Sequence, residues 1–241
     1  MTTEGGPAGE RRTSPRQALY PVVLEVAGEP CLVVGGGLVA ARKIAGLLAC
    51  GAAVTVVAPE VHEAVAALSA EGAIAAVHGP PLDVQIRPYR EGEAASYRLV
   101  HTATGDPAVD SQVHRDAQAA GVWVNSADDY EHCSFVLPAV MRDGPVLVAV
   151  STSGASPALA VWLRDRLRRA AGEGLGELAE LLAEARARLK ARTGRSDGVD
   201  WGALLDGSLP TLVANGRIDE ARRLLEEAIE DAEGAEPGLA T

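Results

Sequence analysis

Lysine, aromatic residues and paired cysteines are what this 241-residue chain has least of. Of its 22 basic residues only Lys43 and Lys190 are lysine; the others are arginine. The formal net charge is −11, which excludes a general nucleic-acid binder, because such a protein needs a basic surface to meet phosphates. Aromatics make up 3% of the chain, so its core must rely on Ala, Val and Leu. Elements built that way can approach closely. Cys31, Cys50 and Cys133 form no C-x-x-C pair, which removes both a disulfide framework and a zinc ribbon. Cys31 and Cys50 read instead as small buried hydrophobes. The histidines are scattered, so no cluster suggests a tightly held metal. No run of about 18 apolar residues occurs, and no membrane span is expected. The first 18 residues are polar, lack the apolar stretch of a signal peptide, and read as a disordered tail. The cytoplasm is the expected compartment.

What is present is an apolar fraction of 47%, ordinary for a globular protein with a real core. Tyr20 to Val26 is a short apolar segment. Cys31 to Val34 is a continuous apolar run that meets three glycines, and Leu38 to Leu48 then has helical spacing. Gly51 ends that helix. Ala53 to Ala58 reads as a second buried strand, Val61 to Ala70 as a helix and Ala73 to Val77 as a short strand. Leu82 to Ala95 carries no clear pattern. Tyr97 to Thr102 is another strand. Asp106 before Pro107 starts a helix, because aspartate caps free N–H groups and proline suits the first turn. That helix runs to Ala120, and Val122 to Asn125 is the next strand. Continuous apolar strands alternating with helices imply a parallel sheet covered on both faces, a doubly wound α/β domain.

After residue 128 the pattern changes. Phe135 to Met141 and Pro145 to Val150 read as a hairpin turning at Arg142-Asp143-Gly144. Ser156-Pro157 starts a basic helix to Ala170. Leucines from Leu175 to Leu189 mark a helix ended by Gly194. Ser196 to Asn215 reads as a loop with a short helix near Trp201, and Ile218 to Ala232 as a last amphipathic helix.

Between the first strand and its helix, Gly35-Gly36-Gly37-Leu38-Val39-Ala40 fits G-x-G-x-x-A, in the place where that motif binds a dinucleotide. Gly35 permits the tight turn. Gly37, with no β-carbon, lets a pyrophosphate reach backbone N–H groups, and Ala40 lets helix and sheet pack closely. The second strand should end in an acid for the adenosine ribose. Here it runs into Pro59-Glu60, and Glu60 reads equally as that contact or as a solvated acid at a helix start. No arginine follows, which favours NAD over NADP.

Several stretches together resemble one family. They are YPVVLEVAGEPCLVVGGGLVAARK, GAAVTVVAPE, TATGDPAVDSQVHRDA, VWVNSADDYEHCSF and LPAVMRDGPVLVAVSTSGASPALAVWLRDRL, followed by a leucine-rich helical end. Their order and spacing resemble precorrin-2 dehydrogenase, the NAD-dependent module of sirohaem synthase, over residues 19 to 192. The resemblance implies a Rossmann-like domain, a small α+β dimerisation region and a helical C-terminal domain. The division expected is a tail over 1–18, an NAD-binding domain over 19–134, a dimerisation region over 135–170, a helical domain over 171–232 and a loose tail over 233–241. It also implies a homodimer that oxidises the tetrapyrrole precorrin-2 to sirohydrochlorin with NAD. Some members of the family go on to insert ferrous iron as a second substrate.

Carried over by position, Asp128 matches the family's acid–base aspartate. A carboxylate suits the chemistry: loss of a hydride leaves positive charge, and a proton must then leave the macrocycle. The competing reading is that Asp128 and Asp129 form a turn. Leu38, Val39, Pro59 and Glu60 match the family's dinucleotide contacts. Thr104 and Gly105 follow the strand before the Asp106 helix, at the edge where cofactor is expected. The family commonly has an acidic or amide residue at the position of Gly105. Asn125 reads equally as a cofactor contact or as a polar strand end. Thr152, Ser153, Arg142 and Arg164 are candidates for substrate carboxylates, against caps and solvated arginines. His132 reads first as a surface histidine and second as a proton-transfer group. The rival functional reading is an NAD-sensing module without catalysis, which would need neither Asp128 nor VAVSTSGASPALA.

Overall fold

Cys31 to Val34 is apolar on both sides of its pleat because both sides are covered. The strand is β1 (Pro30–Val34), central in a parallel sheet, and its last four residues are buried. The computed structural model describes residues 19–68, 82–127 and 129–234. Around β1 stand β2 (Ala53–Ala58), β3 (Asp83–Ile86), β4 (Leu99–Thr102) and β5 (Trp123–Ser126), in the order β3-β2-β1-β4-β5. All four pairings are parallel. The order reverses between β1 and β4, and at such a switch point an open α/β sheet has its crevice.

Helix α1 (Leu38–Leu48) covers one face, where Cys31, Val33, Ile44, Val54 and Val56 form one core. Helix α2 (Pro107–Ala120) covers the other, with Leu32, Val34, Val57, Val100, Val113 and Val124. Burial on both faces is why these strands read as continuous apolar runs rather than alternating ones. Asp106 caps α2 as its sequence implies, accepting from the Ala108 and Val109 N–H groups, and Gly121 closes the helix with φ +69°. Cys31 and Cys50 both pack in the α1 core, and burial pushes the Cys31 thiol up to about 11.

Strand β3 lies inside the stretch that carries no clear sequence pattern. It is a short edge strand, Asp-Val-Gln-Ile, with its ends exposed. Such an edge needs no apolar run, and its charge discourages further pairing. Of the expected helix Val61 to Ala70, residues 63–68 are helical. The expected strand Ala73 to Val77 and the expected tail over 1–18 lie outside the described residues.

The chain divides into two units, the first ending at Leu137 and the second beginning at Pro138. In the second, β6 (Ala139–Asp143) and β7 (Val146–Val150) form an antiparallel hairpin. Asp143 pairs with Val146, so the turn is Gly144-Pro145, later than the Arg142-Asp143-Gly144 expected. Gly144 has φ +52°, and a positive φ followed by the fixed φ of proline is what a two-residue hairpin loop of the II′ kind demands. Arg142 therefore sits in a strand. Helix α3 (Pro157–Ala171) is capped by the Ser156 hydroxyl, which accepts from the Leu159 N–H.

Helix α4 (Leu175–Thr193) and helix α7 (Ile218–Gly234) enclose a leucine core with α5 (Trp201–Asp206) and α6 (Leu209–Ala214). The stretch expected as a loop with a short helix near Trp201 holds that helix, α5, and also α6, which buries Leu209 and Val213. Helix α6 is too short to show a helical period. The last helix also runs to Gly234, two residues into the expected loose tail; the rest of that tail lies outside the described residues. Among the described residues no helix is long and apolar enough to cross a membrane.

Candidate functional site

The glycine turn sits at the carboxyl end of β1, and each of its glycines answers a different constraint. Gly35 has φ +121°, and a β-carbon there would lie 2.2 Å from the Ala103 carbonyl oxygen. Both the backbone angle and the approach of the β4 end require glycine. Gly36 has an ordinary φ, but its β-carbon would lie 2.1 Å from the Glu60 carbonyl oxygen. The chain after β2 is held there by the His62 N–H, which donates to the Gly36 carbonyl at 2.8 Å. Gly37 is different: nothing lies within 4 Å of a β-carbon built on it. It is also the N-cap of α1 and offers no capping side chain. The first N–H groups of α1, at Leu38 and Val39, thus stand at an open helix start, with the partial positive charge such a terminus carries. Leu38 is exposed and Val39 half-buried; Pro59 and Glu60 are exposed beside Gly36.

Across the switch point, the carboxyl ends of β4 and β5 are lined by side chains. Thr102 is fully buried, and its hydroxyl donates to the Asp110 carboxylate on α2. The Thr104 hydroxyl reaches the same Asp110 oxygen at 2.6 Å and receives the Asp106 N–H at 3.0 Å. Gly105 has φ +72° with open space around it. Asparagine and aspartate tolerate that left-handed angle best among side-chain-bearing residues.

Asn125 lies on β5 and is buried. Its Oδ1 accepts from Lys43 Nζ at 3.2 Å and meets His101 Nδ1 at 3.2 Å. Its Nδ2 donates to the Phe135 carbonyl at 3.0 Å and to Cys133 Sγ at 3.5 Å. Both ends of the amide are engaged within the protein, so its side chain joins α1, β4, β5 and the segment after β5. Burial first, and then the charge of Lys43, push His101 down to about 4, so this imidazole is neutral. Burial pushes the Cys133 thiol up.

Asp128 lies outside the described residues. On one side of it the Ala127 N–H donates to the Thr102 carbonyl at 2.9 Å. On the other, Asp129 accepts from the Glu131 N–H at 3.0 Å and from His132 Nδ1 at 2.6 Å. Burial pushes Asp129 up, but the bonds from His132 and Glu131 outweigh it and hold the carboxyl below its usual range. The His132 ring lies 4.6 Å from that of His114 on α2.

The four candidates for carboxylate binding lie in the second unit. Arg142 is exposed on β6. Arg164 is held by its neighbour Asp165 at 2.7 Å. The Thr152 hydroxyl donates to the Ser156 carbonyl and accepts the Ser156 N–H, both at 3.0 Å, which fixes the turn before α3. Ser153 has φ +50°. That left-handed angle on a non-glycine is strained. Sequence reasoning passed over Lys43, His101, Asp110 and His114. A signal existed for two of them: Asp110 and His114 lie one turn apart beside the apolar stripe Val109, Val113, Ala117, where a solvated helix face would not bring them. Among the described residues no group of three or more His, Cys, Asp or Glu side chains is arranged to hold a metal ion.

Three family models match end to end. Residues 22–139 match one described as putative NAD(P)-binding, 143–170 one for the sirohaem biosynthesis protein central region, and 174–229 one for the sirohaem synthase dimerisation region. A sirohaem synthase of Nitrosococcus oceani is 41% identical over 212 residues, covering 87% of this chain and 44% of that protein. One of Methylococcus capsulatus is 37% identical over 214 residues, covering 88% of this chain and 44% of that protein. The chain thus spans less than half the length of these relatives. Among solved structures, SirC, a precorrin-2 dehydrogenase, is similar with a TM-score of 0.62 at 27% identity, covering 88% of this chain and 99% of that one.

Proposed function

The chain belongs to the sirohaem synthase family, and on that premise we propose that it oxidises precorrin-2 to sirohydrochlorin with NAD, as a cytoplasmic homodimer. The observation that carries the reading is Gly37: an uncapped helix start with open space before it, at the switch point of the sheet. Helix α1 fits a dinucleotide there, because the Leu38 and Val39 N–H groups are donors without a capping side chain, suited to a pyrophosphate. Gly35 and Gly36 shape that turn, and Pro59 and Glu60 stand beside it for the adenosine end. NAD, when bound, supplies the two-electron acceptor. Thr104 and Gly105 flank the same edge through backbone.

Asp128 is the acid–base group of this reading. It stabilises the positive charge that develops on the macrocycle and takes up the proton that leaves it. Asn125 acts from behind, by holding the end of β5. Arg142, Arg164, Thr152 and Ser153 are the proposed contacts for the substrate's carboxylates.

The test is anaerobic incubation of the full chain with enzymatically made precorrin-2 and NAD, following NADH and the sirohydrochlorin spectrum together. Equal yields of the two support the reading; a well-folded protein that forms neither overturns it. Ferrous iron added to the same cuvette separates a dehydrogenase from a dehydrogenase that also inserts metal. An Asp128→Asn variant with full activity would remove that residue from the mechanism.

A further inference from the structure

Two buried polar atoms in the first unit have no hydrogen-bond partner among the described residues: His114 Nδ1 and Ser126 Oγ. His114 is 8% exposed and Ser126 5%. Both lie on the same side of the sheet. Val124 packs with Val113 and Ala117 in the α2 core, and Ser126, two residues further along β5, projects to the same face. Beside Ser126 in the sheet stands Thr102, bonded to Asp110, and His114 follows Asp110 by one turn of α2. Buried polar atoms of this kind take water or a ligand as partner.

The cluster leads outward. The ring of His132, whose side chain is 38% exposed, lies tilted at 55° against that of His114, with centroids 4.6 Å apart. The Asp129 carboxylate can only accept, so the proton of their 2.6 Å bond sits on His132 Nδ1. In the neutral tautomer this bond selects, His132 Nε2 is the accepting nitrogen.

We propose that Ser126, His114 and His132, with Asp129 orienting the last, form a proton exit from the carboxyl edge of the sheet to solvent. The inference rests on the proposed oxidation, which releases a proton as well as electrons. Oxidation of precorrin-2 removes one hydride, that is two electrons and one proton, which NAD would accept, and one further proton. The remaining proton passes from the edge, through water held between Ser126 and His114, to His132 Nε2 and then to buffer. Burial first, and the charge of the neighbouring His132 next, hold His114 below its usual range; the nearby Arg115 acts in the same direction, while the hydrogen bond to the His132 backbone and the charge of Asp129 oppose. A ring biased toward its neutral form, with one nitrogen open to water, passes a proton without trapping it.

The test compares full-length wild type with His132→Phe, which keeps a ring against His114, and with His114→Gln. Turnover of precorrin-2 with NAD is measured at rising imidazole concentration, with NAD affinity and thermal unfolding measured in parallel. The expected result is a kcat lowered at least about tenfold in both variants, with the KM for NAD unchanged and kcat restored by imidazole. Wild type should be indifferent to imidazole. Unchanged kcat, or a loss that imidazole does not restore in either variant, overturns the exit while leaving the dehydrogenase reading intact. Absence of turnover in wild type overturns both.

Discussion

On the β1–β2 side of the sheet's carboxyl edge, backbone makes the site. Gly35 and Gly36 let three chain segments meet at distances no β-carbon allows, and Gly37 leaves a helix start open. On the β4–β5 side, side chains make it: Thr102, Thr104 and Asp110 on one face, Lys43, His101, Asn125 and Cys133 on the other. The first side is fixed by excluded volume and tolerates no added atom. The second is fixed by hydrogen bonds in a low-dielectric interior, where each partner is costly to lose. One edge therefore has two failure modes, and substitutions can separate them.

The largest effect is expected from Gly35→Ala. The new methyl would meet the Ala103 carbonyl, and φ +121° would be strained as well, so a loss of about 3 kcal/mol or more is expected in urea unfolding. A variant as stable as wild type would show that the β1 turn yields more easily than excluded volume implies. Next comes acid. The unfolded-state value for His101 is 6.5 and the folded value about 4, so between them only the unfolded chain holds the proton. Stability from this group is full above about 6.5 and falls as pH drops through that window, by about 3 kcal/mol at most. A His101→Gln variant should unfold with a flatter dependence on pH, and parallel curves would move the acid sensitivity elsewhere.

Asn125→Ala strips partners from Lys43 and His101, and about 2 kcal/mol of stability should go with them. Equal stability would mean that water replaces the amide, and that the β4–β5 side is looser than its bonds suggest. The smallest stability effect belongs to Gly37→Ala, within about 1 kcal/mol, because nothing lies near the new methyl. Its NAD affinity, by calorimetry, should nevertheless fall about tenfold or more if the pyrophosphate uses that space. Tight binding by this variant would place the cofactor away from the turn.

The same contrast explains what could be read before the structure. The glycine turn is local: strand, three glycines and helix are contiguous, so residues 31–48 carry the whole pattern. The caps at Asp106 and Ser156 are local too, and stand where their sequences imply. The Lys43–Asn125 bond joins residues 82 apart, and no periodicity in one segment announces a partner in another. His132 and His114 meet for a similar reason, through the fold-back of the chain along β5. The hairpin was legible as a hairpin, but its turn fell on Gly144-Pro145, because strand register rather than the Asp-Gly pair decided it. Edge strand β3 was hidden by shortness and exposure, and helix α6 by shortness, whereas the short helix at Trp201 was legible.

By itself the sequence determined the doubly wound sheet, through continuous apolar runs alternating with capped helices, and the place of the dinucleotide turn, through glycines that a single strand–helix junction needs. Only the tertiary structure decided that Gly36 is required by Glu60, that Asn125 is a buried joint between α1 and β5, and that His132 rests against His114. The physical reason is range. Backbone angles and caps act over a few residues of chain, whereas steric exclusion and buried polar pairing act between segments that only packing brings together.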